Sequence, residues 1–103
     1  MKHMIKYLPS AQEDLKSIED WCEMNFDAQN ALRVTDSIVE TIQRLEHFPE
    51  SGSFPRDEWG KQQGFRLVFS GRHVAIYKVI DESVYIYHIA DTRTAYNRLF
   101  YQA

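Results

Sequence analysis

The sequence predicts an α+β fold in the order β-αα-βββ-α: a helical hairpin packed on a small, mostly antiparallel sheet. Three observations predict it. Ala11, Leu15, Ile18 and Cys22, and then Ala31, Val34, Ile38, Ile42 and Leu45, recur at helical spacing. Only Asn25-Phe26-Asp27 separates the two stripes, which folds them back as an antiparallel pair. Beyond Gly64, three β-branched and aromatic runs are split by two turn signals, Ser70-Gly71 and Asp81-Glu82-Ser83.

The elements follow in chain order. His3 to Tyr7 alternates weakly and stops at Pro9, as an edge strand does. Ser10-Ala11-Gln12-Glu13 has the form of a capping box, with the Ser10 hydroxyl accepting from the Glu13 amide. It predicts a helix over about Ala11 to Asn25, with Trp21 flanking the apolar stripe. Asp27 is placed to cap the second helix, where Val39 lies beside the apolar face. His47 to Gln63 holds Pro49, Gly52 and Pro55 without a period and is expected to be a long loop. Strands are expected at about Phe65–Phe69, His73–Val79 and Val84–Ile89, and a final helical turn or two within Asp91–Phe100.

A chain of 103 residues fits one domain, spanning 1–103. That length can bury a core without a disulfide or a structural metal. Cys22 is the single cysteine, so a reducing, cytoplasmic setting is expected. No apolar run approaches the roughly 20 residues of a membrane span, and no signal-peptide pattern opens the chain. No membrane contact is expected. Residues 1–55 hold five Lys/Arg and ten Asp/Glu, a balance of −5, whereas residues 56–103 hold seven and five, a balance of +2. The acidic first half argues against a broad nucleic-acid-binding surface and leaves room for a local basic patch in the second.

Fragments along nearly the whole chain carry a resemblance. They are L-P-S-A-Q-E-D-L (Leu8 to Leu15), L-E-H-F-P-E-S-G (Leu45 to Gly52), F-R-L-V (Phe65 to Val68), H-V-A-I-Y-K-V-I-D (His73 to Asp81) and Y-I-Y-H-I-A-D-T-R (Tyr85 to Arg93). In this order the chain resembles the RelE/ParE superfamily of type II toxin–antitoxin toxins. The resemblance implies a small toxin neutralised by a cognate antitoxin, which lies across the helical hairpin and the sheet. It also implies one of two targets: RelE-like members cut mRNA on the ribosome without metal, and ParE-like members poison DNA gyrase.

Metal-free cleavage at a 2′-OH needs a base, cations for the developing phosphorane charge and an acid for the leaving oxygen. Aligned on the shared I-Y-K-V-I-D strand, Arg66 falls on the first basic position of the nuclease cluster. The second falls on Val68, the strand-three Arg on Val74, and the strand-four basic pair on Arg93 and Thr94. The C-terminal Tyr falls near Phe100, with Tyr96 and Tyr101 out of register. The cluster is thus largely missing, and the ParE-like reading with gyrase as target is favoured. Target contacts are then expected from Trp59, Arg66, Arg93, Tyr96, Arg98, Phe100 and Tyr101, since aromatic and Arg anchors dominate interfaces.

The alternative is a ribosome-dependent mRNA endoribonuclease with Arg66, Arg72 and Arg93 as phosphate binders and His73 or His88 as base. A third reading is a non-toxic remnant that only binds antitoxin. No cofactor is expected, and the scattered His3, His47, His73 and His88 match no metal-ligand spacing.

Structural roles compete for the same residues. Arg66 could pair with a helix carboxylate, and Asp91 and Arg93 could pair with each other and cap the last helix. Cys22 reads as a buried small hydrophobe and Trp21 as hairpin packing. Glu13, Asp14, Glu19, Asp20 and Glu23 read as a solvated helix face.

Overall fold

The computed structural model describes residues 2–102. Strand β1 (Met4–Tyr7) leads into helix α1 (Pro9–Asn25), helix α2 (Ala28–Gln43) and a 3-10 turn at Arg44–Glu46. A short helix α3 (Glu58–Gln62) precedes strands β2 (Arg66–Ser70), β3 (His73–Ile80) and β4 (Ser83–Asp91), and a 3-10 segment (Tyr96–Gln102) closes the chain. The strands form one sheet in the order β1-β4-β3-β2. The pairs β2–β3 and β3–β4 are antiparallel, and β1 runs parallel to β4. The expected α+β arrangement is the one observed.

Local chemistry sets the helix ends. Leu8 precedes a proline and is therefore extended (φ −72°, ψ 158°), so Pro9 begins α1 at a position that suits its fixed φ and missing N–H. This moves the start ahead of Ser10 and overturns the expected capping box. The Ser10 hydroxyl instead donates to the Tyr87 carbonyl (2.6 Å), which with Leu8 N–H to Ile86 O (3.0 Å) pins α1 to β4. Asp27 does cap α2, accepting from the Asn30 amide at 2.7 Å, a contact of the kind worth about 1 kcal/mol.

The loop expected over residues 47–63 contains α3, capped by Asp57 accepting from the Gly60 amide at 2.8 Å. Gly60 hid this helix, because glycine is a poor helix former. It is there for contact: a Cβ would lie 2.8 Å from Phe100 Cδ2.

The helical hairpin covers one sheet face. Ala11, Ile38, Ile42 and Leu45 pack there on Ala75, Tyr77, Val84, Ile86 and Ile89. On the opposite face Phe65, Leu67, Val74 and Ile76 are buried under the C-terminal segment, with Phe100 at their centre. Phe100 is 1% exposed and packs on Phe65 at 5.2 Å between centroids. It is a core residue, so the expectation that it contacts a target is corrected.

Tyr77 ties the loop to the sheet. Its buried hydroxyl donates to Pro49 O (2.8 Å) and accepts from Gly52 N–H (2.9 Å), while Ser53 and Leu67 exchange backbone hydrogen bonds at 2.8 Å. Burial raises the Tyr77 pKa, which keeps the hydroxyl protonated and able to donate. Tyr77→Phe removes both partners and should destabilise the fold by about 1–3 kcal/mol in urea denaturation, with faster hydrogen exchange at Gly52. A variant as stable as the parent, with a protected Gly52 amide, would show that the clasp contributes nothing.

Candidate functional site

The α1–α2 hairpin diverges from one end of the sheet and leaves a groove of about 950 Å³. That end is defined by register: Ser70 pairs with His73, and His73 with Asp91, in one row. Buried Cys22 and half-buried Ile18 and Val34 supply apolar lining. Trp21 and Phe26, packed edge to face at 5.8 Å, stand exposed on the hairpin side. Arg33 contributes from α2, and Arg72, His73 and Arg93 from the sheet end. Ser37 Oγ and Ser70 Oγ share a hydrogen bond of 2.9 Å that joins α2 to the end of β2.

Three arginines face one carboxylate, Asp91, and that carboxylate is already engaged. Arg93 donates to it from Nε (3.1 Å), Nη2 (2.8 Å) and its own backbone amide (2.8 Å). These hydrogen bonds hold the Asp91 carboxyl well below the usual carboxylate range. Among the described residues, Arg33 and Arg72 make no ion pair. Burial pushes the His73 imidazole below its usual 6.5, opposed by Asp91 and reinforced by Arg72 and Arg93. The groove therefore offers two uncommitted guanidinium groups beside an apolar lining, which suits an anionic, partly apolar occupant.

The structure separates the residues expected to act together. Arg72, His73 and Arg93 share the groove, but Arg66 lies at the other end of β2, opposite Tyr77. Four residue steps along the strand, about 13 Å, separate Arg66 from the Ser70 row. The basic groups therefore do not share one rim. Arg66 is also occupied: Nη1 donates to Glu50 O and Gly52 O, both at 3.1 Å, and its guanidinium lies 4.3 Å from the Phe54 ring centroid. Its partners are loop carbonyls, and the expected helix carboxylate is not among them.

His88 is buried beside α1, where Nδ1 donates to Asp14 Oδ2 (2.8 Å), and the same oxygen accepts from the Ile89 amide (3.0 Å). Asp14 is thereby removed from the solvated helix face expected for it. The expected Asp91–Arg93 pair forms, but it closes a turn at the end of β4 and caps no helix. Trp59 stacks on Tyr101 at 4.6 Å, and Tyr101 Oη donates to Asp57 (3.2 Å). Arg98 is exposed and Tyr96 half buried. Sequence reasoning missed Arg33 and Ser37. Their spacing with Asn30 (i, i+3, i+7) marks a polar row along α2 that could have revealed them.

A helical hairpin on a mostly antiparallel four-stranded sheet is the fold of the RelE/ParE class of toxins. Among solved structures the chain is similar to the chromosomal ParDE system from P. aeruginosa. That match has a TM-score of 0.74 at 22% identity and covers 87% of this chain and 96% of the other. It is also similar to the RelBE2 toxin–antitoxin complex from Mycobacterium tuberculosis, with a TM-score of 0.65 at 18% identity, covering 88% and 99%. No curated protein sequence matches the chain significantly. Residues 5–96 match the family described as ParE toxin of type II toxin–antitoxin system, parDE. The chain belongs to the ParE toxin family.

The depressed His73 pKa has a consequence of definite sign. Its neutral form is favoured by folding, so its contribution is present above 6.5 and is lost as pH falls through its lower folded value. Stability should therefore drop as pH falls from 6.5 toward the lower folded value, and His73→Gln should flatten that part of the profile. An imidazole titration by NMR giving a value at or above 6.5 would refute it.

Proposed function

We propose that this ParE-family toxin arrests growth by poisoning DNA gyrase and is neutralised by a cognate antitoxin. The observation that supports the target reading is the separation of Arg66 from the groove arginines. In-line cleavage at a 2′-OH requires base, acid and phosphate-binding cations within reach of one phosphodiester. Here Arg66 is spent on loop carbonyls at the far end of β2, and in the alignment by resemblance Val68 and Val74 fall on the basic positions of the nuclease cluster. A binder needs no such convergence. Arg72, Arg93 and Arg98, with Trp59 and Tyr101, supply exposed cationic and aromatic anchors of the kind that dominate interfaces.

An antitoxin segment has a separate place to bind. On the outer face of the hairpin, Tyr7, Leu15, Leu32 and Val39 line a groove of about 570 Å³, with Lys16, Glu19 and Asp36 at its sides. Leu32 is 59% exposed, whereas Ala31, Ile38 and Ile42 of the same helix are buried. An amphipathic helix laid along this groove would cover it.

Purified protein added to gyrase and supercoiled plasmid should accumulate linear, protein-linked DNA, and induced cells should retain intact mRNA. Cutting of ribosome-bound message, with gyrase activity unaffected, would overturn the target reading. Leu32→Asp should leave growth arrest intact and weaken rescue by the co-expressed antitoxin by at least about tenfold, the effect of an unpaired charge in an apolar contact. Full rescue of that variant would move the antitoxin elsewhere.

A further inference from the structure

The C-terminal segment covers only part of the sheet's second face. Phe100, with Leu99 and Tyr96, lies over Leu67, Val74 and Ile76. Toward the other end of β3 and β4 the same face carries Lys78 and Ile80 from β3 and Tyr85 from β4, and β1 adds Met4 and Lys6. None of these is buried. Register places three of them in one row: Lys6 pairs with Tyr85, and Tyr85 with Lys78. Tyr87, the extra residue where the β3–β4 register shifts, extends the row toward Phe65, whose ring it meets edge-on at 5.2 Å.

The lysines lie over aromatic rings. Lys6 Nζ is 5.4 Å from the Tyr85 centroid, and Lys78 Nζ is 4.4 Å from that of Phe65 and 5.5 Å from that of Tyr87. Among the described residues neither forms an ion pair. The nearest acids along the chain, Asp81 and Glu82, lie in the turn beyond Ile80 and Ser83. The acids of α1 belong to the helical layer on the other side of the sheet. Positive charge here is local and unanswered, although the whole chain carries −3.

We infer that Lys6, Tyr85, Lys78 and Tyr87 form a stacking platform for single-stranded nucleic acid. Rings on an inner strand take bases, and lysines on both neighbouring strands, two strand spacings or roughly 10 Å apart, take the flanking phosphates. Cation–π contact is all that holds these ammonium groups, so an arriving phosphate can recruit them on their flexible stems. A protein partner fits less well, because lysine is depleted from protein interfaces. The exposed Met4 and Ile80 add aliphatic surface that a base or sugar can cover. This platform is independent of the gyrase reading and lies away from the arginine groove.

Fluorescence anisotropy of the full chain with labelled oligothymidylate of about ten nucleotides tests this. Single strands should bind in the micromolar range at low salt, and more tightly than a duplex. Tyr85→Leu should weaken binding about tenfold through loss of one stacked base. Lys6→Gln and Lys78→Gln should each reduce the log–log salt slope by about 0.7. Arg44→Gln, in the exposed 3-10 turn after α2, should change neither. Thermal melting checks that each variant folds, and the lysine variants carry the test if Tyr85→Leu does not. Absence of binding at about 10⁻⁴ M protein, the weak limit of nonspecific association, overturns the platform. So does binding indifferent to all three substitutions, or displacement of the oligonucleotide by polyglutamate as effectively as by unlabelled strand, which would mark an acidic-protein surface.

Discussion

Strand β3 has no exposed face from Val74 to Tyr77, and the rest of the molecule is arranged around that constraint. Ala75 and Tyr77 point to the helical hairpin, Val74 and Ile76 to the C-terminal segment. A helical layer alone could cover only one of these faces. The second cover is small and irregular, and it works because Phe100 enters against Phe65 and against a glycine in α3. Close-packed interiors tolerate little change in volume, so a side chain at residue 60 would push out the ring that closes the core. The Trp59–Tyr101 stack and the Tyr101–Asp57 hydrogen bond hold the same junction from outside. Desolvation and the neighbouring Asp57 both raise the Tyr101 pKa, so its hydroxyl stays a donor.

The same packing decides which charges are available. Pinning the loop to β2 consumes Arg66, whose guanidinium serves two backbone carbonyls of the loop. The turn after β4 consumes Arg93 and Asp91 on each other. Arg33 and Arg72, at the groove, remain uncommitted. A catalytic cluster on the aligned positions would require Arg66 and Arg93 to converge on one phosphate, whereas the fold engages Arg66 with loop carbonyls at the far end of β2 and Arg93 with Asp91 at the groove.

Much of this was legible in the sequence, and the failures have physical causes. Long periodic stripes gave both helices, and turn residues gave both hairpins, because those signals are local. The capping box at Ser10 failed because Pro9 fixes the backbone one residue earlier, which frees the hydroxyl for a partner 77 residues away. Helix α3 was hidden because Gly60 is required by packing against its own propensity. Phe100 looked like an exposed anchor because nothing local says that a terminal aromatic will be drawn into a second core. Asp14 looked solvated because its partners, His88 and the Ile89 amide, lie on a distant strand. Of the groove, Arg72, His73 and Arg93 were named in advance. Their separation from Arg66 required the strand register, which no spacing along the chain encodes.

The two grooves of the hairpin share no residue. The outer one takes Leu15 from α1 and Leu32 and Val39 from α2; the inner one takes Ile18 and Cys22 from α1 and Arg33 and Val34 from α2. A partner confined to the outer groove therefore leaves the arginines open. The two surfaces are connected only around the hairpin or through it. Around it lies the tip, where Trp21, Met24 and Phe26 are all exposed. Through it lies the helix pair itself, whose shared core of Ala31, Thr35, Ile38 and Ile42 is too well buried to deform continuously. An antitoxin seated in the outer groove, as proposed above, would need a further segment to cover Arg33 and Arg72.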